Sequence, residues 1–176
     1  MIIMGVDPGT RATGFGVISV QGNRCACLDF GAIKPRRGEA PLQIGERLRY
    51  IHQELVTLIQ NYQPEILAVE GVFHAVNVRS ALTLGHARGV ILLAAAQHGV
   101  ELVEYSPLEV KKAVVGYGRA DKAQVQMMVQ RLLNMKVKPQ PHDAADALAI
   151  ALCQAFSSRF HQAVKRNSGI SPYLET

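Results

Sequence analysis

The sequence predicts an α/β domain: one mixed sheet that opens as an antiparallel meander and carries helices on both faces. Three observations predict it. Residues 2–34 hold three strand-like runs separated by short turns. From residue 42 onward, apolar residues at helical spacing alternate with short apolar runs. The run Ile66 to Glu70 is apolar until its final acid, as a central parallel strand buried on both faces would be.

The elements follow in order. Ile2 to Asp7 is a buried strand that ends at the turn Asp7-Pro8-Gly9. Thr13 to Val20 and Arg24 to Lys34 are the second and third strands, joined by the turn Gln21-Gly22-Asn23. A basic loop from Lys34 to Pro41 follows. Leu42 to Gln60 has helical spacing, with Ile44, Leu48, Ile51, Leu55, Leu58 and Ile59 on one face, and Pro64 stops it. Gly71 to Val78 reads as a loop and Ser80 to about His98 as a long helix ended by Gly99. Glu101 to Tyr105 is a strand. Ser106 caps a short helix with Pro107 in its first turn, and Asp121 caps another that runs to about Leu133. Lys136 to His142 is a connector, and a last helix spans Asp143 to about Phe160. Residues 1–160 make one domain, and 161–176 are expected to be a loose polar tail.

Composition narrows the class. The chain has 176 residues, 48% of them hydrophobic, which suits one folded domain with a sizeable core. No apolar run is long enough to span a membrane, and no signal segment opens the chain, so a cytoplasmic protein is expected. The three cysteines fit a reducing compartment. Cys25 and Cys27 form a C-x-C without the second pair that zinc would want, and read as strand residues. The net charge of +5 is weak evidence by itself. If four of the fourteen acids gather on metal ions, nineteen lysines and arginines face only the remaining ten. A basic surface around an acidic, metal-filled cleft suits a polyanionic substrate.

The placement of the acids carries the chemistry. Asp7 and Glu70 each end a strand, and residues beyond strand C-termini share a crevice in an open α/β sheet. Asp143 and Asp146 are three apart at the start of a helix, so both leave it from one face. Helix capping accounts for Asp143 but not for Asp146, which sits among Ala144, Ala145, Ala147, Leu148 and Ala149. Each acid alone has a plain structural reading, as a turn residue or a surface acid. Together they would repel unless cations neutralised them. Oxygen donors without His or Cys select Mg²⁺ or Mn²⁺, and two such ions form the clamp of phosphodiester-cleaving enzymes. In the turn from Asp7 to Gly14, Gly9 and Gly14 would let the backbone approach a phosphate, with Thr10 and Thr13 supplying hydroxyls. A simple hairpin connection explains the same residues.

Five motifs then share one order: Asp-Pro-Gly-Thr at 7–10, Ala-Val-Glu-Gly-Val-Phe at 68–73, Leu-Gly-His-Ala-Arg-Gly at 84–89, Val-Val-Gly-Tyr-Gly at 114–118 and Asp-Ala-Ala-Asp-Ala-Leu at 143–148. Over residues 1 to about 156 the chain closely resembles the RuvC family of crossover-junction endodeoxyribonucleases, which resolve Holliday junctions in recombination and repair. The resemblance implies a ribonuclease H-like fold, a homodimer, two metal ions per site and action with the RuvA–RuvB branch-migration complex. It puts the acidic metal ligands at Asp7, Glu70, Asp143 and Asp146. Some members have His where this chain has Asp143. It also implicates Lys111 and Lys122 in activity and Phe73 in contact with the junction. Lys122 opens a helix, where a cation opposes the dipole, so a phosphate partner would explain it better than solvent. Phe73 either stacks on or wedges into the junction, or folds back as a core residue. Arg79, Arg119, Lys112, Arg36 and Arg37 read as non-specific phosphate contacts or solvated cations. The stripe Ala81, Gly85 and Gly89 suits close helix packing, against either the chain's own sheet or a partner copy.

Three other readings compete. A nucleotide phosphotransferase would use the same first turn, but needs a second such domain. A non-catalytic nucleic-acid-binding module explains the charge but not four converging acids. A ribonuclease of the same fold is poorly separated by sequence, since a 2′-hydroxyl contact has no short motif.

Overall fold

The computed structural model describes residues 1–35, 42–71 and 78–168, with backbone alone at Arg79 and at 160–168. Three strands come first: β1 (Ile2–Asp7), β2 (Thr13–Gln21) and β3 (Arg24–Ile33). They are antiparallel neighbours, as their turns require. Next come α1 (Ile44–Tyr62), β4 (Ile66–Glu70), α2 (Val78–Gln97) and β5 (Glu101–Tyr105), and then α3 (Pro107–Val115), α4 (Lys122–Leu132) and α5 (His142–Ser168). The sheet order is β3-β2-β1-β4-β5, with β4 parallel to both β1 and β5. The expected mixed sheet with helices on both faces is what forms.

The caps explain the helix boundaries. Ser106 Oγ accepts from the Glu109 amide at 3.3 Å and starts α3. Asp121 accepts from the Gln124 amide at 2.8 Å and starts α4. Both were legible in the sequence. Three helices differ from expectation. α1 is shifted two residues toward the C-terminus, leaving Ile44 in an exposed first turn, while Ile51, Leu55 and Ile59 form the buried stripe. α2 begins at Val78 rather than Ser80 and ends before Gly99, whose φ is +64°. α5 continues past residue 160 to Ser168, because Ala163, Val164, Lys165 and Arg166 are adequate helix formers and no proline intervenes. The rest of the expected tail, 169–176, lies outside the described residues.

Alternate strand residues build two separate cores. Met4, Val6, Val17, Leu67 and Val69 face α1 and α2, meeting Ile51, Leu55, Ile59 and Ile91. Ile3, Ile18 and Ala68 face α5 and the helices behind it, α3 and α4. α5 is therefore a central helix with sheet on one side and helices on the other, which is why Ala144, Ala145, Ala147, Ala149 and Ala151 are all buried. On this face the sheet carries glycines. A Cβ on Gly5 would lie 2.0 Å from the Ala147 carbonyl oxygen, and one on Gly16 2.7 Å from Leu148 Cγ. Gly5 and Gly16 are cross-strand partners, so together they make the bare patch on which α5 lies.

Candidate active site

Strand register brings the first two acids together. Val6 pairs with Val69 across β1 and β4, so Asp7 and Glu70 are the next residues at the same end of adjacent strands. Parity aims them alike. Asp7 lies two residues beyond Gly5 and Glu70 two beyond Ala68, both of which meet the α5 side. The α5 side supplies the other two. Gly14 is the cross-strand partner of Asp7, and a Cβ there would lie 2.0 Å from the Asp143 carbonyl oxygen. The start of α5 thus rests directly beside Asp7. Of the two readings of Gly14, phosphate approach or a plain hairpin connection, neither includes what the space holds, which is the start of α5. Gly9 likewise tightens its own turn, since a Cβ there would lie 2.2 Å from the Ala12 carbonyl oxygen.

Asp7, Glu70 and Asp146 line one cleft of about 310 Å³, together with Lys111 of α3 and Lys122 of α4. Asp143 lines a neighbouring depression. The four acids still act on one another. Burial, then the charges of Glu70, Asp146 and Asp143, push the Asp7 carboxyl from its ordinary 3.8 up to about 8, against the pull of Lys122. Burial and then Asp146 raise Glu70, opposed by Lys111 and Lys122. Burial raises Asp146 too, with Asp143 adding to it and Lys122, His142 and Lys111 opposing. Such a group of acids holds its negative charge poorly by itself and gains from any added cation. Among the described residues, no three acidic, histidine or cysteine side chains close into a ready-made metal cage.

Lys122 is the first residue of α4, as expected, and is exposed at the cleft wall. Its unfavourable place at a helix N-terminus is offset by the carboxylates it faces, a simpler cause than a phosphate partner. Lys111 shares the cleft. Lys112 and Arg119 are exposed and do not line it. Phe73, Arg36 and Arg37 lie outside the described residues, as does the Arg79 side chain. Sequence reasoning missed the apolar walls of the cleft, Pro107, Val110, Val125 and Ile150. It also missed Gly5 and Gly16, although a glycine inside a strand pattern is a usable sign of close backbone approach.

Among the described residues, nothing covers the surface of α2 away from the sheet. Val78, Leu82 and Leu93 are 77%, 59% and 51% exposed. A Cβ on Gly85 or Gly89 would meet nothing within 4 Å. Of the two packings expected for the small-residue stripe, the chain's own sheet is excluded for both glycines.

Comparison with known proteins agrees with this geometry. Residues 3–154 match the family described as "Crossover junction endodeoxyribonuclease RuvC". A protein of that name from Alkaliphilus oremlandii is 48% identical over 165 residues, covering 94% of this chain and 99% of its own. Another, from Heliobacterium modesticaldum, is 52% identical over 157 residues, covering 89% and 95%. The solved structure described as "T. thermophilus RuvC in complex with Holliday junction substrate" superposes with a TM-score of 0.84 at 36% identity, covering 92% of this chain and 96% of that one.

Proposed function

The chain belongs to the crossover junction endodeoxyribonuclease RuvC family, and on that premise we propose that Asp7, Glu70, Asp143 and Asp146 are the acids through which it binds divalent metal. It is a structure-selective DNA endonuclease that resolves Holliday junctions in recombination and repair, built on a ribonuclease H-like fold. The single observation that carries the site assignment is the convergence of two strand ends and one helix on a buried, self-repelling group of carboxylates.

Mg²⁺ fits this donor set, and Mn²⁺ could replace it. All donors are oxygen, and burial leaves Asp7 short of a compensating cation. Mg²⁺ keeps waters and takes one or two carboxylates plus substrate phosphate, a demand that Asp7, Glu70 and Asp146 in one cleft could meet. Two ions, when bound, would supply a water of lowered pKa and charge stabilisation for the departing 3′ oxygen, leaving 5′-phosphate ends. The chain's own residues do the rest. The strand ends fix Asp7 and Glu70, and α5 fixes Asp143 and Asp146. Lys122 and Lys111 hold positive charge against the cleft, where it moderates acid repulsion and attracts the DNA backbone.

The wider assembly follows from the family and the surface. A two-fold junction needs two matched nicks, which an isologous homodimer supplies. The exposed stripe Val78, Leu82, Gly85, Gly89 and Leu93 on α2 is a fitting face for it. The family resemblance supports Phe73 as the residue that stacks on or wedges into the junction. It likewise supports the RuvA–RuvB complex as partner. The basic charge of the chain supports Arg79 and Arg119 as backbone contacts, residues 1–160 stand as the nuclease domain with α5 running on past them, and the cytoplasm is its place. No described helix is long and apolar enough to cross a membrane.

The test is a gel assay with a synthetic four-way junction beside a linear duplex of the same sequence. The wild type should nick the junction only with Mg²⁺ or Mn²⁺. Asp146→Asn should bind the junction with wild-type affinity and leave it uncut, since the basic surface is untouched. Parallel loss of binding and cutting in this variant would show the acid to be structural.

A further inference from the structure

The four acids open onto two depressions. Asp7, Glu70 and Asp146 face the cleft walled by α3 and α4. Asp143 faces a second depression of about 620 Å³, shared with Thr10 and Arg11 of the β1–β2 turn and Ser80 and Thr83 of α2. The acids therefore join two clefts, one walled by Lys111 and Lys122 and the other by Arg11.

Arg11 is the cation among the described residues that line this depression. Its turn is locked from within: Thr13 Oγ1 donates to the Gly9 carbonyl at 2.6 Å, Thr10 is buried, and Gly9 sits too close to Ala12 to admit a side chain. Arg11 itself is exposed on this fixed base. Lys111 and Lys122 are already engaged, since their charges act on Glu70 and Asp146. Arg11 contributes to none of the shifted acids and forms no ion pair among the described residues. A guanidinium held on a rigid turn, beside an acid of the site yet not spent on it, is suited to a planar two-point grip on a phosphate.

We infer that the depression beside Asp143 is a second subsite of the nuclease, which seats the nucleotide flanking the scissile phosphodiester, with Arg11 gripping that neighbour's backbone phosphate. The inference rests on the nuclease reading and adds to it a positioning residue and a direction for the strand. Lys111 and Lys122 lie on one side of the acids and Arg11 on the other.

The experiment uses the full chain. Binding is measured on Asp146→Asn, with and without Arg11→Gln, and cutting on the wild type and Arg11→Gln alone. The substrates are four-way junctions carrying one neutral methylphosphonate, walked along the scissile strand. Arg11→Gln should weaken junction binding about tenfold, as loss of one charge-assisted contact does. It should raise KM with kcat largely kept, and lower the salt slope by about 0.9 for one lost phosphate contact. At a single flanking position the methylphosphonate should cost the wild-type turn the same factor and cost Arg11→Gln nothing further. Arg11→Lys should restore the salt slope but not the full affinity. A wild type that cuts normally beside an indifferent Arg11→Gln, or one equally sensitive at every position, overturns the subsite alone. A wild type that leaves the junction uncut with Mg²⁺ overturns the nuclease reading and the subsite with it.

Discussion

The two faces of the sheet use alternate residues of the same strands to opposite ends. Toward α1 and α2 the strands present Met4, Val6, Val17, Leu67 and Val69, which hold those helices away on a layer of aliphatic side chains. Toward α5 they present Ile3, Ile18 and Ala68 beside Gly5, Gly14 and Gly16, and at those glycines the helix lies on bare backbone. The first face stabilises: each fully buried aliphatic side chain contributes about 1.5–3 kcal/mol. The second face also positions. Only a helix that touches the sheet can carry Asp143 and Asp146 to the ends of β1 and β4. Depth of packing on one face is thus a condition for chemistry, while on the other it is a condition for stability alone.

Matched substitutions should separate the two. Gly5→Ala puts a methyl against the Ala147 carbonyl and the Ala151 amide, at 2.0 and 2.7 Å, and both are main-chain atoms that cannot swing away. It should cost about 3 kcal/mol or more and lower the cutting rate per folded molecule, because α5 must lift. Leu55→Ala on the opposite face should cost about 2–5 kcal/mol with specific activity unchanged. Denaturant melts read beside single-turnover cutting decide this. Normal activity in folded Gly5→Ala would show that α5 depth does not set the site.

The positioning face carries an electrostatic cost that the other lacks. Asp7 titrates near 8 in the fold against an ordinary 3.8, so the folded, metal-free chain keeps a proton that the unfolded chain has lost. The stability tied to that proton is full below about pH 4 and is lost as pH rises through about 8. Glu70 and Asp146 are shifted in the same direction. Asp7→Asn removes the largest share. With chelator present at pH 9, this inactive variant should melt above the wild type by about 1 kcal/mol or more, roughly 2–4 °C. The gap should close toward pH 4. Equal melting curves of wild type and variant across that range would mean that the acids carry no such strain.

The sequence made some of this legible and hid the rest for physical reasons. Helix starts could be read because capping is local: Ser106 with Glu109 and Asp121 with Gln124 are three apart. Asp7 and Glu70 could be picked out because each ends an apolar run, Asp146 because it sits among alanines and Leu148, and Asp143 because it lies three residues before Asp146. Their division between two depressions could not, since it depends on where α5 lands on β1 and β2, a contact between residues more than a hundred positions apart. The role of Gly14 against α5 was hidden for that reason. A glycine in a turn motif suggests ligand approach, and nothing nearby in sequence shows that a distant helix occupies the space. The carboxylates that Lys122 faces could not be read either, because they come from two strands and a helix that no short motif joins.

The glycines of α2 extend the comparison to a surface with no neighbour among the described residues. Gly85 and Gly89 have open space where a Cβ would go, the reverse of Gly5. In an isolated chain they are simply poor helix formers, and each replacement by alanine should stabilise the monomer by about 0.5–1 kcal/mol. If the exposed stripe from Val78 to Leu93 is where two copies meet, the same methyl falls between close-packed helices, and the sign should reverse for the dimer. Gly85→Ala should therefore raise the dissociation constant in sedimentation equilibrium while raising the melting temperature at concentrations where the chain is monomeric. Gly45, equally open but outside this face, serves as the control, since Gly45→Ala should leave dimerisation alone. A Gly85→Ala chain that melts higher and associates as tightly as before would move the dimer contact elsewhere on the molecule.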